Sequence, residues 1–451
     1  MLTLYNICPV LRSRAVAGRL RTALVLPLLA MSLAACDTDK LLDVDDVDVA
    51  TPGSLENRGA LPVLHAAGIG DFQVAFTGNQ FVEGQVTISG LFTDEFLFAE
   101  TFPTRLEVDM RSIQEQNATM TFLMRDIQRA RGSSDFSSAK FAVLAPADRR
   151  RAELMTLAGF AIVIMGENYC SGVPISKLTD AGELEFGQPR TTAQLWDDAL
   201  SKFDSAIAIA TTAGASTELN LARIGRGRAL LNKGDFNGAA AAVAAVPSGF
   251  SYLIFNSEGT PRQNNGVWYF QRISNRWTVG DREGINGLPF ISDRDPRTPT
   301  VSAERLAFDG STPLIYQNKY PLRDSDTPLA TGVEARLIEA EAALRAANVA
   351  GYTTSLNAAR SAQGQPAIAA AATAAGQRDQ LFKERAYALW LTSHRLGDLR
   401  RLVRQYTRPQ NQVFPTGPYP KGGEYGTDVN IIIPFDEKNN PNFTGCLDRN
   451  A

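Results

Sequence analysis

LNLARIGRGRALLN at residues 219–232, the turn KGD at 233–235 and FNGAAAAVAAV at 236–246 decide the architecture of this chain. The first run reads as a helix halted by Lys233 and Gly234. The second reads as a short alanine-rich helix capped by Asp235 and ended by Pro247. Two helices joined by so tight a turn must run antiparallel, and the small residues Gly225, Gly227, Ala239 and Ala242 let their axes come close.

Working outward, the same helical grammar recurs. Upstream, Trp196, Ala199, Leu200, Phe203, Ala206, Ile207 and Ala210 return at intervals of three and four, the mark of a helix packed on one side. Thr191 and Gln194 fit a capping box at its start. Before it, Leu154 to Met165 carries apolar residues almost all round, so this helix belongs in the deep interior. Downstream, Ala335 to Ala347 with Thr354 to Ala362 forms a second candidate pair, and Asp379 to Ser393 with Gly397 to Tyr406 a third. Each pair is a tetratricopeptide-like unit, but the spacing is too irregular for a regular 34-residue array. The expectation is a mainly α protein: helix pairs in a single bundle, long irregular loop segments and few short strands.

The periodicity stops between Pro247 and Ala330. That segment collects Tyr252, Phe255, Trp268, Tyr269, Phe270, Trp277, Phe290, Tyr316 and Tyr320 among Gly, Asn, Pro and Asp. Long irregular segments of this kind are commonly functional, so residues 247–330 are expected to face a ligand. The tail from Thr407 to Ala451, rich in Pro, Gly and Asn, is expected to wrap the surface.

The amino terminus says where the protein works. Arg12, Arg14, Arg19 and Arg21 precede a fourteen-residue apolar run, Thr22 to Ala35, with no acidic residue before Cys36. The run falls short of the roughly 20 residues of a membrane span and reads as the core of an export signal. Leu33, Ala34, Ala35 and Cys36 form a lipobox, so residues 1–36 are expected to be a lipoprotein signal peptide. Cys36 becomes the acylated first residue of the mature chain and holds it to a lipid membrane. An ordinary secretory signal with an incidental Cys36 is the other reading, and it too exports the chain.

Residues 37–53 read as an acidic tether. The spacing of Asp43, Asp45 and Asp48 invites calcium, but the glycine and distal glutamate of an EF-hand loop are missing. Beyond the tether, residues 54–451 are expected to form one helical domain. Loss of residues 1–36 removes four arginines and no acid, taking the net charge from −3 to −7. Nucleic acid is therefore not an expected partner. With Cys8 in the signal and Cys36 lipidated, Cys170 and Cys446 remain as the candidate disulfide in an oxidising compartment. Two separate buried thiols are the alternative.

Several stretches, taken in order, resemble the SusD/RagB family of outer-membrane nutrient-binding lipoproteins. KERAYALW at 383–390 followed by HRLGDLRR at 394–401 is similar to the family's late signature of an ER pair and an R-x-x-DLRR run. Arg336 to Ala342, with Glu339 and Glu341, resembles its acidic helix, and Asn357 to Arg360 the N-x-x-R that follows. Gly166, Val173, Pro174 and Ile175 match its turn after a helix, with Glu167 to Gly172 inserted. Leu91 to Glu95 resembles an early GLxTDE segment, and Ile433, Pro434 and Asn440 to Asn442 its closing element. The resemblance implies a surface lipoprotein that captures a glycan or other nutrient and hands it to a TonB-dependent outer-membrane transporter, without catalysis and without a cofactor. Arg385, Arg395, Asp398 and Arg400 are expected to tie helices together by charge-assisted hydrogen bonds rather than to touch ligand.

Sugars offer apolar ring faces edged by hydroxyls, so a binder needs aromatic platforms beside amide and guanidinium groups. Trp268, Tyr269, Asn275, Arg276 and Trp277 supply that mixture, although each aromatic could equally pack loops onto helices. An exported glycan hydrolase and a helical protein-binding scaffold are the rival classes. With His65 and His394 the chain's two histidines, a histidine-rich metal site is excluded and no metal is expected. No G-x-S-x-G elbow or phosphate loop occurs.

Overall fold

The structure, a computed structural model, describes residues 52–179 and 183–451; the signal, Cys36 and nearly all of the tether lie outside the described residues. The helices, in chain order, begin with α1 (Leu61–Thr77), α2 (Gln85–Phe92), α3 (Pro103–Asp109), α4 (Ala118–Leu144) and α5 (Arg149–Asn168). Next come α6 (Thr192–Thr212), α7 (Ser216–Lys233), α8 (Phe236–Val243) and α9 (Gly266–Arg272). The last four are α10 (Gly332–Arg345), α11 (Val349–Ala362), α12 (Ala374–Ala388) and α13 (Arg395–Arg404). The expected mainly α bundle of helix pairs is what forms.

α5 lies at its centre, packed by α1, α4, α6 and α7, which accounts for its apolar sequence on every side. The capping box at Thr191 and Gln194 starts α6, and Asp235 accepts from the Gly238 N–H at 2.8 Å to start α8. Between α7 and α8, Gly234 turns the chain at φ 89°, a left-handed conformation that costs glycine least. Phe203 on α6 wedges between α5 and α7: a Cβ on Gly159 would meet its ring at 2.7 Å and one on Gly225 at 2.3 Å. Gly227 likewise admits Val243 of α8. The chain of pairs continues through α10, which packs on α8, α11 and α12.

The late arginine-rich signature is buried structure. Asp398 accepts from Arg385 and Arg401 at 2.8 Å each, and Arg401 also pairs with Glu341. Arg395 grips Asp94 with two bonds of 2.7 Å, joining α13 to the segment after α2. Arg228 holds Glu167 in the same bidentate manner, at 2.8 and 2.5 Å. The two histidines are also engaged: His65 contacts Glu153 at 2.7 Å, and buried His394 lies 3.1 Å from Glu334.

The strands are β1 (Phe96–Phe98), β2 (Val173–Pro174), β3 (Lys177–Leu178), β4 (Leu184–Glu185), β5 (Pro189–Arg190), β6 (Ser251–Ile254), β7 (Trp277–Val279), β8 (Thr300–Leu306), β9 (Pro313–Gln317) and β10 (Thr327–Thr331). They pair two by two, antiparallel: β1 with β7, β2 with β5, β3 with β4, β6 with β10 and β8 with β9. Residues 247–330 are thus more ordered than their sequence suggests, holding α9 and five strands. Pairing across long sequence distances leaves no local period to read.

The tail corrects expectation in one respect. It carries no α-helix, but Phe414, Asn430, Ile431 and Ile433 enter the core instead of lying on the surface. Ile431 donates to the Asn168 carbonyl at 2.8 Å and accepts from Cys170 at 3.0 Å. Cys170 and Cys446 are joined in a disulfide across 276 residues of sequence. No helix among the described residues is long and apolar enough to cross a membrane.

Candidate functional site

β1 and β7 set the site. Their register places Phe98 opposite Trp277, and backbone bonds extend the pairing: Ala99 donates to the Arg276 carbonyl at 2.9 Å, Asp309 to Ala99 at 3.0 Å, and Phe308 to Asn275 at 3.0 Å. Three distant segments, near residues 98, 276 and 309, therefore lie side by side. The tail closes the opposite wall with the turn from Tyr419 to Gly423, where Gly422 and Gly423 take φ of 98° and 79°. Between the walls is an open cleft of about 660 Å³.

Phe98, Leu106 and Pro313 give the cleft apolar faces, and Glu100, Asp309 and Lys421 give it charge. Lys421 pairs with Asp309 while its ammonium sits 4.9 Å from the centre of the Phe98 ring. Tyr419 donates to buried Asp109 at 2.6 Å. Next to it, Tyr425 donates to Glu283 at 2.9 Å, and the two tyrosine rings meet edge to face at 5.1 Å. This second layer fixes the wall.

Burial pushes the Glu100 carboxyl up to about 7, against the opposing pull of Arg105 and Arg276. Burial, reinforced by Glu283, lifts Asp109 to about 8. Burial also opposes ionisation of Asp309, yet Lys421, the Thr312 hydroxyl and two backbone N–H groups together hold it below the usual carboxylate range. One carboxylate on the wall is firmly charged, and another titrates near neutrality.

The residues singled out in the sequence divide into three groups. Asn275 and Arg276 do not line the cleft, although Arg276 stands next to its Glu100. Arg276 lies 3.7 Å from Glu100, with its guanidinium 5.2 Å from the ring centres of both Phe102 and Phe270. Asn275, at φ 53°, accepts from Arg305 at 2.8 Å, and Arg305 also donates to the Tyr316 hydroxyl at 2.7 Å. Trp268 and Tyr269, both half-buried on α9, do not line the cleft. The Trp268 indole donates to the Pro321 carbonyl at 2.9 Å and is covered by Arg323, and Tyr269 packs edge-on against Phe270. Trp277 is a correction: it is fully buried between Phe96 and Phe270 and has no open face for a ligand, because its strand register turns it inward.

Sequence reasoning missed Phe98, Phe102, Tyr419 and Lys421. Phe102 is the clearest omission, 47% exposed with Arg105 as well as Arg276 at 5.2 Å from its ring centre. A signal was present in the closely spaced Phe96, Phe98 and Phe102 just after Leu91 to Glu95. Among the described residues, no group of three or more His, Cys, Asp and Glu side chains is placed to hold a metal ion.

The helix pairs, short antiparallel strand pairs and loop-built cleft together constitute the SusD-like fold. The chain superposes on a laminarin-binding SusD-like protein with a TM-score of 0.65 at 14% identity, covering 87% of this chain and 99% of that one. It matches surface glycan-binding protein A from Bacteroides uniformis with a TM-score of 0.63 at 13% identity, covering 86% and 99%. A SusD superfamily protein from Bacteroides thetaiotaomicron gives 0.62 at 14% identity over 86% and 99%. No protein-family model and no curated protein matches the sequence.

Proposed function

We propose that this chain is a glycan-binding protein that holds its ligand in the cleft between β1, residues 309–313 and the 419–423 turn, without transforming it. The observation that carries this reading is the exposed Phe102 ring, flanked by the Arg105 and Arg276 guanidiniums, beside an open cleft of about 660 Å³ that carries Asp309 and Lys421. Apolar sugar ring faces stack on Phe102 while hydroxyls meet the guanidiniums beside it and the polar groups of the cleft. That a laminarin-binding protein and a surface glycan-binding protein share the fold supports the same reading.

The finer reading adds location and partner. Cys36, once acylated, anchors the chain to the outer membrane with the 247–330 segment facing ligand, and a TonB-dependent transporter takes the cargo. Palmitate labelling that disappears in Cys36→Ala, and co-purification with a large β-barrel in mild detergent, are the expected results for anchor and partner.

The test of binding is calorimetric titration with neutral α- and β-glucan oligosaccharides, alongside an assay for new reducing ends. Saturable binding with no product is expected. Phe102→Ala and Arg276→Ala, both at partly exposed positions, should each weaken binding about tenfold at unchanged unfolding temperature. Product release would make the protein a hydrolase, and undiminished binding by both variants would move the site elsewhere.

A further inference from the structure

A second cavity, of about 530 Å³, shares no lining residue with the glycan cleft. Its walls are the first turn of α6, the end of α7, α13 and the tail near Asp448. Three basic side chains line it, Lys233, Arg400 and Arg404, against one acidic side chain, Asp448, with Lys233 also paired to exposed Asp197 beside the cavity. Asp448 is turned partly to its own backbone, accepting from the Asn450 N–H at 2.8 Å.

Arg400 is the unusual member. It is 2% exposed, and one guanidinium nitrogen, Nη1, donates to the carbonyls of Gly166, Glu167 and Tyr169 at 3.1, 2.7 and 3.0 Å. Its other groups are poorly served: Nη2 has one long contact of 3.5 Å to the Asn450 carbonyl, and Nε has no partner. Arg404 donates to the Asn232 carbonyl at 3.1 Å. Among the described residues, no carboxylate side chain lies within ion-pair reach of either arginine, whereas Arg228 on α7, Arg385 on α12 and Arg395 and Arg401 on α13 all have one. Burial pushes Arg400 down to about 9 and Arg404 to about 10, and in each case a neighbouring arginine adds to the effect. A buried guanidinium without a counter-charge is costly. The cavity also receives the amino-terminal turn of the 21-residue α6; the Thr191, Thr192 and Gln194 N–H groups there are already bonded to Gln194, Ser171 and Thr191, so what this end adds is the helix dipole, which favours negative charge.

We infer that this cavity is an oxyanion site, taking a phosphate or sulfate group between Arg400, Arg404 and Lys233 at the start of α6. Tetrahedral oxyanions match the paired N–H donors of a guanidinium, and the positive end of the α6 dipole adds to their attraction. The group could arrive as a free inorganic anion or as an ester on a saccharide; the chemistry of recognition is the same.

The experiment is calorimetric titration of the full chain with inorganic phosphate, inorganic sulfate, a sulfated disaccharide and its neutral parent, at ionic strength matched with chloride. Phosphate and sulfate should bind, and Arg404→Gln should weaken both about tenfold. Lys233→Gln, at a side chain 43% exposed, should also weaken them and gives the same reading should Arg404→Gln fail to fold. A sulfated disaccharide that binds more tightly than sulfate assigns the site to an ester, and equal binding assigns it to the free anion. Heats indistinguishable from chloride, or binding retained by the folded variants, would overturn the inference.

Discussion

Asp398 shows how a single residue organises this fold. Its carboxylate is shared by two buried guanidiniums, and although burial opposes its charge, Arg385 and Arg401 hold it well below the usual carboxylate range. Asp398→Asn would leave Arg385 without its counter-charge and Arg401 with Glu341 alone, and should cost about 3–5 kcal/mol in denaturant unfolding. Because Asp398 does not line the cleft proposed to hold glycan, any glycan affinity of the folded variant should not change. A loss of glycan affinity at full stability would contradict the structural role. The sequence made this role legible, since the charges recur at helical spacing and helices must be tied. Trp277 was not legible in the same way: composition recommends an exposed aromatic, while the pairing of Phe98 with Trp277 turns the indole inward.

At the level of elements, the helix pairs follow from local rules. Gly234 and Asp235 stop one helix and start the next, and Gly159 and Gly225 make room for Phe203. The tail obeys no such rule. Its lack of periodicity suggests a surface wrap, yet Ile431 bonds beside α5 and Cys446 is bonded to Cys170 just past that helix. The disulfide restrains a loop of 276 residues in the unfolded chain. Replacing both cysteines by serine should lower stability by about 2–5 kcal/mol, read as the unfolding midpoint in denaturant. Labelling of thiols in the unreduced protein should find neither cysteine reactive. An unchanged midpoint would show that the tail is held by its core contacts alone.

On the scale of the whole molecule, several buried acids set the response to pH. Burial lifts Glu95 to about 8, Glu283 to about 7 and Asp109 to about 8. Each value lies above that of the unfolded chain, so folding favours the protonated form. Their contribution is complete below the ordinary carboxylate range, shrinks steadily as pH rises above it, and is gone once pH has passed 7 to 8. Asp398 acts in the opposite sense, and its contribution is lost only in strong acid. The unfolding temperature should therefore peak near pH 5 and fall on the order of 5 °C by pH 8. Thermal melts at pH 5, 6.5 and 8 check this, and a midpoint that rises across the range would refute it.

The division between sequence and tertiary structure follows from distance along the chain. Periodicity, caps and charge spacing act within a few residues, so the order of the helix pairs, the deep burial of α5 and the structural duty of Arg385, Arg395 and Asp398 are already written in the primary structure. The cleft draws on residues near 98, 276, 309 and 421, and the second cavity on residues near 192, 233, 400 and 448. Only long-range strand pairing and the threading of the tail bring such groups together, because loop closure over hundreds of residues leaves no trace in local pattern.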